Sequence, residues 1–276
     1  MRITVAHSPD SDDAFMFFGL ASGAIPTGDL QVDQVLADIE TLNRAAFEGR
    51  YEVTAVSFHA YAYLAETYAL LPHGASMGDG YGPMVVVRQD GPSSLEGVTV
   101  AIPGTLTSAW LALQMHAPGV AHTVMPFDRI LEAVRDGEVD AGLIIHEGQL
   151  TYADEGLRLI VDLGVWWGER TGGLPLPLGG NVVRRNLGDA MIRRLARLLR
   201  QAVEYALANR EAALDHSLRY ARGLDRATAD RFVGMYVNQR TVDYGERGRQ
   251  AVRLFLERAH KAGLIPRVPT LDFVAG

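Results

Sequence analysis

The amino-acid sequence predicts an α/β protein of two lobes with a ligand cleft between them. Over the first 180 residues, short β-branched and apolar runs alternate with segments of helical spacing, which is typical of an α/β fold with mostly parallel strands. Two stretches dense in Gly and Pro, at 89–97 (QDGPSSLEG) and 171–180 (TGGLPLPLGG), are suited to chain crossings between lobes. A cleft between lobes is a common place for a ligand.

Each predicted element rests on a local pattern. Six runs rich in β-branched and apolar residues and bounded by Gly, Pro, Asp or Ser are predicted as strands: 3–7, 52–58, 84–89, 98–102, 141–145 and 157–163. Residues 38–48 and 128–136 are predicted as helices that begin at the N-caps Asp38 and Asp128. From about residue 186 onward one helical pattern follows another, up to a predicted C-cap at Gly263.

The two crossings divide the chain into discontinuous lobes. If the chain leaves one lobe at the first crossing and returns at the second, residues 1–91 and 174–276 form a larger lobe with a helical C-terminal cover. Residues 92–173 then form an inserted smaller lobe. Two lobes agree with the length of 276 residues, because domains usually contain about 100 to 200 residues.

Composition and charge exclude several classes of function. The chain has no cysteine, which excludes thiol catalysis, zinc-thiolate sites and iron–sulfur clusters. The net charge of −7 argues against nucleic acid as a partner, because phosphate binding needs a basic face. We interpret the arginine-rich stretch 184–200 as an amphipathic helix with a solvated basic face. Without a secretory signal or a long apolar stretch, the chain is predicted to be cytoplasmic and not to contact a membrane.

Hydroxyl and acidic residues follow strand ends at the predicted starts of helices. Ser57, Thr107 and Ser108 stand where unpaired helix N–H groups could bind a carboxylate or phosphate. They could equally be ordinary N-caps, worth about 1 kcal/mol each, and the residues alone leave both interpretations open. The acidic residues of SPDSDDAF (8–15) lack the spacing of a calcium loop and are interpreted as helix-start residues, not as metal ligands.

His146 is the histidine whose setting is most suggestive of a site. The short apolar strand AGLII ends directly before it, and open α/β sheets bind ligands at the carboxyl ends of their strands. By pattern alone, His146 is either a proton-transfer group or a polar residue that ends a buried strand. His7 and His59 also end predicted strands and are weaker candidates. Glu147 is left between orienting His146 and capping the turn.

The sequence contains the blocks IIHEGQLTY (144–152) and DLGVWWGERTGGLPLPLG (162–179). Together with further blocks along the chain, they resemble the 1,4-dihydroxy-6-naphthoate synthase family of the futalosine route of menaquinone biosynthesis. They cover nearly the whole chain, and the pair IIHEGQLTY with DLGVWWGERTGGLPLPLG is highly specific. Further blocks are SPDSDDAFMFF, DIETLNRAAFEGRYEVTAVSFHAYAYL, GYGPMVVVR, IPGTLTSAWLAL and YVNQRTVDYGERG. The first loop departs from the family pattern, because it reads SPDSDDAF where the family reads SPCPNDTF.

The resemblance implies a fold, an activity and a site. The fold is that of the type II periplasmic binding proteins, and the activity is a lyase that converts cyclic dehypoxanthinyl futalosine, a small anionic aromatic substrate, without a metal or redox cofactor. His146 matches the proton acceptor. The positions that match substrate contacts are Ala55, Val56, Ser57, Thr107 and Ser108, with Asn43 as an addition.

Two other functions compete with the synthase. A solute-binding protein of the same fold is expected to carry an export signal, which the sequence does not show. Chorismate dehydratase is a sister enzyme on the same fold, and the IIHEGQ block favours the synthase over it. The sequence predicts no oligomeric state.

Overall fold

The computed structural model describes residues 1–274 of the chain. Within this range the backbone forms eleven β-strands and thirteen α-helices, joined in places by single 3-10 turns. The strands are β1 (Arg2–His7), β2 (Gln31–Leu36), β3 (Val53–Ser57), β4 (Tyr68–Leu70), β5 (Ser76–Gly78), β6 (Met84–Arg88), β7 (Thr99–Ile102), β8 (Ala121–Val124), β9 (Ala141–Ile144), β10 (Leu157–Asp162) and β11 (Leu176–Arg184).

The helices cover the sheets and make up most of the C-terminal third. They are α1 (Ser11–Met16), α2 (Phe18–Ala21), α3 (Ile39–Phe47), α4 (Phe58–Leu64), α5 (Ser108–His116), α6 (Ile130–Arg135), α7 (Gly148–Thr151), α8 (Leu163–Thr171), α9 (Asp189–Ala208), α10 (Arg210–Ser217), α11 (Arg226–Tyr236), α12 (Gln239–Val242) and α13 (Gly245–Lys261). None of these helices has an apolar stretch long enough to cross a bilayer.

The strands form two sheets, one in each lobe. The first has the order β2-β1-β3-β11-β4, with β5 beside β11, and the second has the order β10-β6-β9-β7-β8. We call the second sheet with helices α5, α6 and α7 the small lobe (residues 84–162), and the rest of the described chain the large lobe. All six runs predicted as strands are strands of the structure.

The predicted first crossing at 89–97 is wrong. This stretch joins β6 to β7, which both belong to the second sheet. The chain leaves the large lobe earlier, at residues 79–83 between β5 and β6, so the small lobe begins at Met84 and not at residue 92. Gly and Pro mark a turn within a sheet as readily as a crossing between sheets, and local sequence does not separate the two.

The expectation of mostly parallel strands is also wrong, because each sheet is mixed. β1 is parallel to β2 and β3, and β7 is parallel to β8 and β9. β11 runs antiparallel to β3, β4 and β5, and β6 runs antiparallel to β9 and β10. These two strands are the first that the chain forms after each crossing, and pairing direction there is set by the crossing and not by a βαβ unit.

The caps agree with the sequence in part. Asp38 accepts a hydrogen bond from the Thr41 amide at the start of α3, and Gly263 adopts a φ of 73° just after α13. Asp128 does not cap α6, because it lies in a 3-10 turn (Phe127–Arg129) that precedes the helix. The basic stretch is the amphipathic helix α9, whose buried residues are Ile192, Leu195, Ala196, Leu198, Leu199, Ala202, Val203 and Ala206.

Candidate active site

A cavity lies between the two lobes and receives residues from both. The large lobe supplies the loop after β1, the end of β3 and the strand β11, and the small lobe supplies the start of α5 and the end of β9. The aromatic residues Phe232 and Tyr236 form part of its wall. The remaining lining residues are Ser8, Asp10, Asp12, Asp13, Ile39, Ala55, Val56, Ser57, Gly74, Ser76, Pro83, Thr107, Ser108, Ala109, Ile145, Leu178, Gly179, Gly180 and Asn181.

One end of the cavity carries three hydroxyl groups, and we call it the hydroxyl end: Ser57, Thr107 and Ser108. Thr107 Oγ1 accepts a hydrogen bond from the Trp110 amide at 3.1 Å and donates to the Gly104 carbonyl at 3.1 Å. It is therefore an N-cap of α5 that also lines the cavity, so capping is confirmed and anion binding stays a prediction. Ser108 Oγ accepts a hydrogen bond from the His59 amide at 3.3 Å.

Asn43 supports the hydroxyl end from behind. Its side chain is fully buried and does not line the cavity. Asn43 Oδ1 accepts a hydrogen bond from the Ser57 amide at 2.8 Å, and Asn43 Nδ2 donates to Ser57 Oγ at 3.0 Å. The same amide group donates to the Leu106 carbonyl of the small lobe at 3.4 Å. The structure therefore places Asn43 as a partner of Ser57 and not as a cavity-lining contact.

The lobes touch directly beside the hydroxyl end. Glu40 Oε2 on α3 accepts a hydrogen bond from the Leu106 amide at 3.0 Å, and Glu40 also pairs with Arg44 at 2.7 Å. Gly104 makes this approach possible, because a Cβ at that position would lie 2.3 Å from Glu40 Oε2. The buried His59 ring contacts the Thr107 carbonyl at 3.3 Å, and burial lowers the His59 pKa to about 4, so this histidine is neutral at pH 7.

Another part of the cavity lining carries three aspartates, and we call it the acid end: Asp10, Asp12 and Asp13. They begin α1, as the sequence predicts, but their side chains also line the cavity. Burial, together with the neighbouring carboxylates, raises the pKa of Asp12 well above its ordinary value. Burial raises the pKa of Asp13 to about 6, although the charge of His7 and the Ser8 amide oppose the shift.

The acid end is the part of the site that the sequence interpretation missed. The sequence pattern was present, because SPDSDDAF follows the carboxyl end of β1 just as Ser57 ends β3. Among residues 1–274 no group of three or more His, Cys, Asp and Glu side chains could hold a metal ion.

His146 follows the cavity-lining Ile145, and its ring does not line the cavity. The residue is 6% exposed, and the neighbouring Ile145 lines the cavity in its place. His146 Nδ1 accepts a hydrogen bond from the Gly148 amide at 3.0 Å, so the proton of the neutral ring is on Nε2, which donates to the Phe127 carbonyl at 3.1 Å. Burial lowers the His146 pKa, and the neighbouring carboxylates oppose the shift only in part.

Glu147 joins the lobes at the acid end. Its side chain is 3% exposed and accepts hydrogen bonds from Ser11 Oγ at 2.8 Å and from the Ser11 amide at 3.3 Å. It also forms an ion pair with Arg222 at 2.7 Å. No capping bond from its side chain to α7 is formed. Of the two roles left open by the sequence, capping is therefore not observed, and Glu147 connects the segment after His146 to the large lobe.

Comparison with known proteins gives the family. A family model described as menaquinone biosynthesis matches residues 3–261. The 1,4-dihydroxy-6-naphthoate synthase of Thermus thermophilus is 43% identical over 99% of this chain and 99% of its own length. The synthase of Streptomyces coelicolor is 41% identical over 96% of this chain and 95% of its own length.

Solved structures agree with the fold. The crystal structure of an Archaeoglobus fulgidus protein matches with a TM-score of 0.92 and 48% identity over 96% of this chain and 98% of that one. A Candida albicans protein of the generic periplasmic binding protein fold matches with a TM-score of 0.69 and 12% identity over 100% of this chain and 98% of that one. The second likeness shows the two-lobed fold alone. By sequence and by fold, the chain belongs to the menaquinone biosynthesis family, within its group of 1,4-dihydroxy-6-naphthoate synthases.

Proposed function

We propose that this protein is a cytoplasmic lyase that converts cyclic dehypoxanthinyl futalosine to 1,4-dihydroxy-6-naphthoate, with His146 as general base and no cofactor. The observation that carries the proposal is the set of residues that line the cavity. Ala55, Val56, Ser57, Thr107 and Ser108, which the family resemblance implies as substrate contacts, all line one cavity. The relatives at 41% and 43% identity are synthases of this kind.

The charges of the cavity favour one orientation of the substrate. A carboxylate placed at the acid end would face Asp12 and Asp13, whose pKa values are already raised by burial and by neighbouring carboxylates, so a further negative charge there is unfavourable. The hydroxyl end has no charge and lies at the start of α5, whose unpaired N–H groups favour an anion. The substrate carboxylate therefore binds near Thr107 and Ser108, and the sugar remnant extends toward the acid end.

The reaction requires one proton to be removed from carbon beside an activating carbonyl or hydroxyl group. The electron pair left on carbon forms a new ring double bond. The bond to the sugar fragment breaks, and the electrons of that bond leave with the fragment. The departing fragment takes up a proton, and the second ring becomes aromatic, which drives the reaction. A base held in position contributes about 10² to 10⁴ in rate.

The protonation state of His146 is suited to a general base, but its ring has to change orientation to reach the substrate. Because its pKa is lowered, the ring is neutral and able to accept a proton at pH 7. To reach the cavity, the ring has to turn away from the Gly148 amide and the Phe127 carbonyl. Exchanging two such hydrogen bonds costs about 1 kcal/mol each, which substrate binding can offset. We propose that the ring turns in this way when the substrate binds.

The proposal is tested by incubating the purified protein with the cyclic futalosine derivative and following the products by mass spectrometry. We expect 1,4-dihydroxy-6-naphthoate and the released sugar fragment in equal amounts, without added metal or redox cofactor. Binding without product would support a solute-binding protein. Conversion of chorismate instead would support the dehydratase, and either result would reject the synthase.

A further inference from the structure

Arg222 occupies an unusual backbone position at the rim of the acid end. It follows the 3-10 turn Leu218–Tyr220 in the helical cover of the large lobe, and its φ is 50°. Among residues 1–274 it is the only residue other than glycine with a positive φ. A long side chain in this conformation is strained by about 1 kcal/mol or more. Strain of this kind persists where the surrounding contacts offset it, and the Arg222 guanidinium makes two ion pairs and a cation–π contact.

The first two contacts are ion pairs with carboxylates of the two lobes. Arg222 Nη1 lies 2.7 Å from Glu147 Oε2 in the small lobe, and Arg222 Nη2 lies 2.6 Å from Asp10 Oδ1 in the large lobe. Glu147 is almost completely buried, with 3% of its side chain exposed. A buried carboxylate that loses its cation is strongly destabilised, so the Glu147 position depends on Arg222.

The third contact reaches the residue that binds the His146 ring. The Arg222 guanidinium carbon lies 4.8 Å from the centre of the Phe127 ring, in cation–π geometry. The Phe127 ring packs edge-on against the His146 ring, with the two ring centres 5.5 Å apart, and the Phe127 carbonyl accepts a hydrogen bond from His146 Nε2. Arg222 therefore holds both the residue that follows His146 and the residue that binds its ring.

We propose that Arg222 is a positioning residue for His146, which it holds through Glu147 and Phe127 so that closing of the lobes and placement of the ring occur together. Glu147 and Phe127 belong to the small lobe, and Arg222 and Asp10 belong to the large lobe. When the lobes separate, the contacts of Arg222 with Glu147 and Phe127 are lost together, whereas its ion pair with Asp10 lies within the large lobe. This inference rests on the proposed role of His146 as the base.

The charges around His146 give the inference a distinct signature. Three charged groups act on the ring: Glu147 from its own loop, Asp10 from the loop before α1, and Arg222 from the helical cover. The two carboxylates favour the charged ring and Arg222 favours the neutral one, so Arg222 helps to keep the His146 pKa low. Without Arg222, both carboxylates are uncompensated, and the His146 pKa rises.

The test compares the pH dependence of kcat/KM in Arg222→Gln, Arg222→Lys and the unchanged protein. We expect Arg222→Gln to lower kcat by about 10- to 100-fold, because a small displacement of a catalytic group has effects of this size. KM should rise by a smaller factor, and the acidic limb of the profile should move to higher pH. Arg222→Lys keeps the positive charge but lacks the planar guanidinium group that can bind two partners at once. We therefore expect its acidic limb to lie at the wild-type pH and its kcat to lie between those of Arg222→Gln and the unchanged protein.

Arg226→Gln is the matched control. Arg226 lies in the same helical cover and pairs with Glu211 and Asp215, both of which belong to the large lobe. It should leave both kcat and the acidic limb unchanged. A wild-type rate and an unmoved limb in Arg222→Gln would overturn the inference, and so would an effect equal to that of the control.

The design separates this inference from the proposed function. If the unchanged protein forms no product, the proposed function fails, and circular dichroism with substrate binding still shows whether the variants are folded. If the unchanged protein is active and Arg222→Gln does not fold, the positioning role is tested by Arg222→Lys alone, through its kcat and the acidic limb of its pH profile. An unreduced rate in Arg222→Lys would then overturn the positioning role, because the planar guanidinium group would not be needed.

Discussion

The two ends of the cavity are built in different ways. At the hydroxyl end, the side chains of Ser57 and Thr107 are held by hydrogen bonds to Asn43 and to backbone groups of neighbouring loops. At the acid end, ion pairs add to hydrogen bonds from Ser8 and Ser11, and the Glu147–Arg222 pair spans the two lobes. The hydroxyl end carries no net charge, whereas Asp12 and Asp13 face the cavity with raised pKa values.

This difference suggests that the hydroxyl end binds the substrate and that the acid end takes part in proton transfer. Neutral hydroxyl groups on fixed loops are suited to recognising an anionic ring, with little dependence on pH. Raised pKa values and a charged contact between lobes are typical of places where protons move. We expect substitutions at the hydroxyl end to change binding or folding, and substitutions around His146 and the acid end to change turnover or its pH dependence.

The largest effect is expected for His146→Asn. Asparagine keeps a polar side chain of similar shape but does not accept a proton at pH 7, so kcat should fall by about 10² to 10⁴. Steady-state kinetics and a thermal unfolding curve of the same sample check that the loss is not caused by unfolding. Asp12→Asn is the companion variant. If kcat fell by about 10² to 10⁴ in Asp12→Asn and stayed near wild type in His146→Asn, the base would be Asp12 on the cavity wall.

Asn43→Ala is expected to act on stability. The substitution leaves the buried Ser57 amide without an acceptor, and an unsatisfied buried group costs about 1 to 3 kcal/mol. Urea unfolding should show a lower midpoint with an unchanged slope. Asn209→Ala is the control, because Asn209 is exposed and bonds only to the Tyr205 carbonyl. Equal midpoints for the two variants would contradict the supporting role of Asn43.

Asp13→Asn is expected to stabilise the free protein at pH 7. The folded-state pKa of Asp13, raised by burial to about 6, lies above the ordinary value of 3.8. Between these values the folded form holds a proton that the unfolded form has lost, so this group lowers stability as pH rises from about 4 to 6. The gain should be about 3 kcal/mol at pH 7 and absent at pH 4. A gain of the same size at both pH values would reject this explanation.

Thr107→Val is the smallest of the expected effects. Loss of the N-cap costs about 1 kcal/mol of stability, and loss of the hydroxyl group should raise KM by several-fold. Because Thr107 holds the substrate and not the reacting carbon, kcat should fall by a smaller factor. Thr107→Ser keeps the hydroxyl group and should restore KM. A lower kcat with an unchanged KM would move Thr107 from binding to the chemical step.

Local patterns predicted the hydroxyl end and most of the elements. A strand end followed by a hydroxyl residue and a helical pattern is a local signal, and it identified Ser57, Thr107 and Ser108 correctly as neighbours of a cavity. The place of β6 in the second sheet and the mixed strand directions depend on pairing between distant segments. No local pattern reports such pairing.

The surroundings of His146 were beyond local patterns for the same reason. Arg222 and Phe127, which fix the segment and the ring of His146, are distant in sequence from it and from each other. The family resemblance pointed to His146, but nothing in the sequence indicated that its ring would bind the Gly148 amide and the Phe127 carbonyl. The fold of the small lobe brings the Phe127 carbonyl to the ring, and the contact between the lobes brings Arg222 to Phe127 and Glu147.

A crystal structure of the His146→Asn variant with bound substrate tests the division of work between the two ends most directly. The expected result is a substrate carboxylate within hydrogen-bonding distance of Thr107 and Ser108, with the carbon that loses its proton facing the side chain at position 146. A carboxylate at the acid end, or a reacting carbon that faces Asp12 while residue 146 stays on the Phe127 carbonyl, would contradict it.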